Sequence, residues 1–241
     1  MKYYLLLALS LFSTSFADPW DKLETWPCTY LEKSFTQHIR RSAVKTIVEL
    51  GGYNGLDSIL LHLHYKCPVY TFECDPLRTK EIKERFAPYP KLKLIEKGGW
   101  DETTEMTFYH ANFSGASSFF EFNLPLHSKK NRVSIEELVE KHGFGMTPYT
   151  VQTTRLDEWM KEEGVETIDL ICMDVQGAAL RILKGMGDQL RNTRYVITEV
   201  DHEMCYKGID LFDQIHDFMI SQGFNCPGPK GNDVIFVNQN L

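Results

Sequence analysis

No run of lysine and arginine occurs in this chain of 241 residues, whose 26 basic and 33 acidic side chains leave a net charge of −7. General nucleic-acid binding leaves a basic footprint, and adhesion to an anionic membrane needs one as well, so neither is expected. The spacing C-x-x-C is missing although cysteines stand at 28, 67, 74, 172, 205 and 226, which speaks against a zinc knuckle or a thioredoxin-type pair. The spacing G-x-G-x-x-G is missing too, which counts against a dinucleotide-binding oxidoreductase. Beyond the N-terminus no apolar run is long enough to span a bilayer. There is no internal repeat, no low-complexity tract and no linker that divides the chain.

What is present begins with a leader. One lysine, an apolar run from Tyr3 to Phe12 and small residues ending in Ser15-Phe16-Ala17 have the order of a secretory signal cut before Asp18. The expected organisation is a signal peptide over 1–17, an N-terminal helical segment over 18–43 and one α/β domain over 44–241. The protein is then secreted, periplasmic or in the ER lumen, with no stable membrane insertion after cleavage; it is cytoplasmic if the leader does not function. Asn112-Phe113-Ser114 is a glycosylation sequon that matters only in a eukaryotic secretory path. Cys74 and Cys172 read as buried thiols at strand ends, whereas others such as Cys28 could pair in an oxidising compartment.

From residue 45 the pattern alternates. Strands are expected at 45–50, 68–73, 91–96, 105–111, 149–153, 167–173, 194–200, 224–226 and 233–237, and helices at 56–65, 76–86, 134–142, 155–163, 178–186 and 209–222; 112–132 reads as loop. Strands alternating with helices predict a mostly parallel sheet covered on both faces, and the last two strands add an antiparallel edge.

The first strand runs into V-E-L-G-G-Y-N-G-L-D-S-I, with glycines at 51, 52 and 55 and an acid, Glu49, at the strand end. In a doubly wound sheet this turn lies at the ligand site. Glycines permit φ > 0 and close backbone approach, and a helix N-terminus suits a carboxylate. With the negative charge of Glu49, a zwitterionic amino acid bearing a sulfonium fits better than a pyrophosphate. Glu73, near the tip of the second strand and about twenty residues on, can accept both ribose hydroxyls of a nucleoside.

VELGGYNG, then TFECDP, then IDLICMDVQGAALRILKGM followed by YVITEV resembles the FkbM-type family of S-adenosylmethionine-dependent methyltransferases. The resemblance covers about 45–238 and is most specific over 153–185. It implies a class I methyltransferase (Rossmann-like) three-layer sandwich, with a mostly parallel seven-stranded sheet and one antiparallel strand. It implies S-adenosyl-L-methionine as cofactor, with Glu49, Gly51, Gly52 and Gly55 at its methionine end and Glu73 on its ribose. Gly98, Gly99, Trp100 and Asp101 would then lie near adenine. Asp174 would face the transferable methyl, and Glu199 would close the pocket. Glu49 stands where Asp is commoner in the family, Gln176 where Glu is, and Ala179 where Glu is usual.

The expected reaction is transfer of a methyl group to a hydroxyl of a sugar, glycolipid or other small molecule, with nitrogen open as the acceptor atom. Asp174 is the first candidate for base or orienting group and His202 the second. Ser117, in a G-x-S-S stretch, is a candidate substrate contact. Asp174, Asp201 and His202 could also form an oxygen/nitrogen metal site, but none is expected. The alternative is an exported binding module that keeps the fold without catalysis, because this cofactor is made in the cytosol and the leader points out of it.

Overall fold

Ile47–Leu50 forms β1 with all four side chains buried, and a strand buried on both faces needs cover on both. The computed structural model supplies it, and describes residues 23, 26–112 and 115–241. The expected leader and the last two residues of the sequon lie outside the described residues.

Two short 3-10 turns and α1 (Lys33–Thr36) precede β1. Then follow α2 (Leu56–Tyr65), β2 (Val69–Phe72), α3 (Thr79–Phe86), β3 (Leu92–Ile95), β4 (Gly98–Gly99), β5 (Glu105–Ala111), α4 (Leu124–Asn131) and α5 (Ile135–His142). The chain continues through β6 (Met146–Thr154), α6 (Leu156–Glu163), β7 (Leu170–Met173), α7 (Ala179–Lys184), β8 (Tyr195–Glu199), α8 (Phe212–Ser221), β9 (Phe224–Asn225), β10 (Pro229–Lys230) and β11 (Asp233–Asn238).

The main sheet runs β10-β11-β8-β7-β1-β2-β3, with β9 also paired to β11. β3, β2, β1, β7 and β8 are mutually parallel. β11 is antiparallel to β8. The two-residue strands β9 and β10 meet opposite ends of β11 on the edge away from β8, so they share one row and the sheet has the seven expected rows. A smaller sheet, β4-β6-β5, stands beside it.

Side-chain alternation sorts the core into two layers. Val48 and Leu50 of β1, Ile171 and Met173 of β7 and Phe236 of β11 pack with α6, α7 and α8 through Trp159, Ile182 and Met219. Ile47, Leu170, Cys172 and Ile235 face the other way, onto α2, α3 and the N-terminal segment, through Ile59, Ile82 and Phe35. All six cysteines are free thiols, with Cys28, Cys67 and Cys172 buried.

Two local readings are corrected. Residues 124–131 form α4, not loop; no side chain of this helix is buried, so no apolar stripe announces it. The helix expected over 76–86 begins only at Thr79. Asp75 stops the chain before it, its side chain accepting the Leu77 N–H at 3.0 Å and its carbonyl the Arg78 and Thr79 N–H groups.

Candidate active site

The order of the main sheet reverses around β1, which pairs with β2 on one side and β7 on the other. Ligand clefts open at such a point, beyond the carboxyl ends of the strands. A cleft lies there, walled by Gly51, Gly52, Tyr53, Asn54 and Asp57 after β1, by Glu73, Cys74 and Asp75 after β2, by Lys97, Gly98 and Gly99, and by Asp174, Val175 and Gln176 after β7.

The turn after β1 is held by its own backbone. The Gly51 and Gly52 N–H groups both donate to the Phe72 carbonyl, at 3.0 and 3.1 Å. The Asn54 side chain accepts the N–H of Leu56, the first residue of α2, at 3.0 Å. Gly51 has φ +84°, and a Cβ there would stand 2.0 Å from the Asp174 carbonyl oxygen. The glycine is needed because the turn after β7 crosses it. At Gly52 the added Cβ would meet Thr71 Cγ2 at 2.4 Å, and at Gly55 it would meet Phe86 Cε1 at 2.9 Å. Each of these glycines makes room for neighbouring protein; Gly51 and Gly52 also line the cleft and Gly55 does not.

Glu73 lines the cleft and is 7% exposed. Its two carboxyl oxygens accept the Tyr53 N–H and the Asp75 N–H, each at 2.7 Å. Burial nevertheless pushes this carboxyl up to about 7. Behind it, Asp75 holds His110 Nδ1 of β5 at 2.6 Å, which ties the smaller sheet to the tip of β2.

Glu49 is 2% exposed and does not line the cleft. It accepts the Ser58 hydroxyl of α2, and Ser58 Oγ lies 2.5 Å from Thr71 Oγ1. Burial, then the nearby Asp57, pushes the Glu49 carboxyl up. The acid that reaches the cleft is Asp57, in the first turn of α2, where the helix dipole favours negative charge. Its Oδ1 accepts the Trp26 indole N–H at 2.8 Å. Burial pushes Asp57 up, the bond from Trp26 opposes that, and Asp174 adds to the rise.

Asp174 follows β7 and is exposed at the cleft mouth. Gln176 organises this side. Its Nε2 donates to Asp174 Oδ1 at 2.6 Å and to Glu199 Oε2 at 2.7 Å. Its Oε1 accepts the Tyr206 hydroxyl at 2.8 Å, and its main-chain carbonyl accepts Ser118 Oγ–H at 2.7 Å. The residue holds φ +46°. A non-glycine in that region is uncommon, and here four partners fix it. Burial, then Asp174, pushes the Glu199 carboxyl up to about 10.

Of the remaining expected residues, Gly99 and Ser117 line the cleft. Ser117 Oγ also accepts the Ala111 N–H at 3.1 Å. Trp100 does not line it; its ring packs against Phe119 and Phe120 at 5.2 and 5.8 Å and lies 5.9 Å from the Arg181 guanidinium carbon. Glu199 does not line the cleft and meets it through its neighbours Gln176 and Asp174. His202 is exposed, with its ring 5.3 Å from that of Phe212, and is not brought to the cleft. Among the described residues no three His, Cys, Asp or Glu side chains converge as metal ligands.

Asp57, Gln176, Tyr206 and the N-terminal Trp26 and Tyr30 were not among the expected site residues. Asp57 was findable as an acid opening the helix after a glycine turn. Tyr206, Trp26 and Tyr30 carry no local signal, because the fold brings them in from a distance. One end of the cleft therefore has Asp57 and Asp174 with Glu49 behind, which suits a cation. The other has Glu73, fixed by backbone, which suits hydroxyl donors. A sulfonium nucleoside with an amino-acid tail fits this polarity.

Residues 49–226 match the Methyltransferase FkbM domain. The chain is 31% identical over 198 residues to the 2-O-methyltransferase NoeI of Sinorhizobium fredii, covering 81% of this chain and 80% of that protein. Among solved structures, magnesium protoporphyrin IX methyltransferase from Synechocystis with bound S-adenosylmethionine is similar at 10% identity and a TM-score of 0.43, over 83% of this chain and 72% of the other. Aeropyrum pernix fibrillarin is similar at 10% identity and a TM-score of 0.45, over 83% and 67%.

Proposed function

The chain belongs to the FkbM methyltransferase family, and from that membership we propose that its acceptor is a hydroxyl oxygen of a sugar, glycolipid or similar small molecule. It is an S-adenosylmethionine-dependent methyltransferase. Bound in the cleft, that cofactor supplies a methyl group made electrophilic by the sulfonium. The protein's task is to align the acceptor, exclude water and take the acceptor's proton.

The observation that carries the proposal is the Asp174–Gln176–Glu199 cluster at the cleft mouth. Burial, then Asp174, pushes the Glu199 carboxyl up to about 10, so it is protonated at neutral pH. An acceptor hydroxyl would donate to Asp174, which would receive its proton as the O–C bond forms and the sulfonium S–C bond breaks, the cofactor leaving as a neutral thioether. Gln176 fixes Asp174 for this step, and Tyr206 fixes Gln176. The relative NoeI is named for 2-O-methyl transfer, which supports oxygen as the acceptor atom.

The test is transfer from cofactor labelled with 13C at the methyl, offered with a panel of mono- and oligosaccharides and glycolipids and read by carbon NMR. A new signal in the O-methyl range is expected. Label found only on nitrogen, with hydroxyl acceptors untouched, would overturn the proposal. Export rests on the leader alone. Removal of 1–17 is checked by the mass of the protein recovered outside the cytosol, where an N-terminus at Asp18 is expected.

A further inference from the structure

The family match begins at residue 49, yet the cleft has walls from well before it. Trp26 and Tyr30 both line it. They belong to a segment that is part of the core: Tyr30 is 5% exposed and Phe35 fully buried, packed with Ile59 of α2 and Cys172 of β7. This segment is set against the acidic end of the cleft. The Trp26 indole N–H donates to Asp57 at 2.8 Å. Tyr30 is almost fully buried in the protein, yet it lines the cleft beside Asp57 and Asp174.

We infer that Tyr30, with Trp26 and Asp57, forms a clamp from outside the matched domain that holds the amino-acid end of S-adenosylmethionine. This rests on the cofactor reading of the cleft. The chemistry divides between the residues. Asp57, fixed by Trp26, is a carboxylate placed for an ammonium group. Tyr30 is a neutral donor placed for the cofactor's own carboxylate. Donation matters there, since a carboxylate entering beside Asp57 and Asp174 meets like charge and needs a donor to offset it. The surroundings of Tyr30 agree: burial, then Asp174 among the nearby acids, pushes its phenol well up, so it keeps its proton.

The prediction separates the two ends of the cofactor. Calorimetric titrations use the full chain and its Tyr30→Phe and Trp26→Phe variants, each with S-adenosylhomocysteine and with 5′-methylthioadenosine, which lacks the amino-acid tail. Tyr30→Phe keeps the buried ring, and an unchanged melting temperature confirms the fold. Affinity for S-adenosylhomocysteine should fall about tenfold in Tyr30→Phe, and less in Trp26→Phe, with 5′-methylthioadenosine unchanged in both. An unchanged affinity for S-adenosylhomocysteine overturns the clamp, as does an equal loss for the two ligands. Wild-type protein that binds neither ligand overturns the cofactor reading itself, a result distinct from the other two.

Discussion

Cofactor affinity should rise with pH between 6 and 8, and Glu73 sets the slope. Its carboxyl is raised from the ordinary 4.5 to about 7 by burial. A folded-state value above the unfolded one means that the free protein is stabilised by this group below pH 4.5 and loses that contribution as pH rises through 7. The loss amounts to about 3 kcal/mol. Ribose hydroxyls donate to a carboxylate, so ligand binding selects the ionised form. At pH 6 about a tenth of the protein is then competent and at pH 8 about nine-tenths, which gives a dissociation constant about tenfold weaker at pH 6. Titration calorimetry with S-adenosylhomocysteine at pH 6, 7 and 8 measures this, and buffers of different ionisation enthalpy should show a proton released on binding. Glu73→Gln should bind weakly and without the slope. 5′-Methylthioadenosine should keep the slope, because it keeps the ribose, and this separates Glu73 from Asp57 at the other end. A dissociation constant that stays flat from pH 6 to 8 in the wild type would refute the assignment of ionised Glu73 to the ribose.

Asp174→Asn removes the proton acceptor at the cleft mouth; kcat should fall by about 10²- to 10⁴-fold while S-adenosylhomocysteine binding stays within about threefold, by single-turnover kinetics and calorimetry. Gly51→Ala places a Cβ 2.0 Å from the Asp174 carbonyl at φ +84°; it should cost about 2 kcal/mol or more in denaturant unfolding and reduce kcat by displacing Asp174. Trp159 is 1% exposed, with its ring 5.0 Å from that of Phe72 and 5.1 Å from that of Tyr70. Trp159→Ala should cost about 3–5 kcal/mol in the same assay. Its indole N–H is buried and has no hydrogen-bond partner among the described residues, so Trp159→Phe should cost only about 1 kcal/mol.

The sheet was legible because its strands are written in a simple code. Buried runs such as IVEL and LICM can only be central strands between two layers, and the amphipathic stretches between them can only be their cover. The ends of elements were less legible. Strands pair over fewer residues than their apolar runs suggest: 167–173 reads as one strand, but only Leu170–Met173 pairs with both β1 and β8. α4 was missed for the opposite reason, since a helix with no buried residue leaves no periodicity to read.

The position of Glu49 shows how local reading of a site goes astray. An acid ending the first strand before a glycine turn looks like a ligand contact, and family resemblance gives it that role. Strand alternation says otherwise. Val48 and Leu50 face α7, so Glu49 must face α2 with Ile47. There it meets Ser58, one turn into the helix, and joins α2 to β2 through Thr71. The cleft still needs a carboxylate at this end, and one helical position before Ser58 supplies it: Asp57 points to the cleft and Ser58 to the sheet. Glu49 thus acts as the buried support beneath the acid that reaches the ligand. If so, Glu49→Gln should leave the preference for S-adenosylhomocysteine over 5′-methylthioadenosine largely intact, and Asp57→Asn should abolish it. Loss of that preference in Glu49→Gln, with Asp57→Asn unaffected, would return the contact to the strand end.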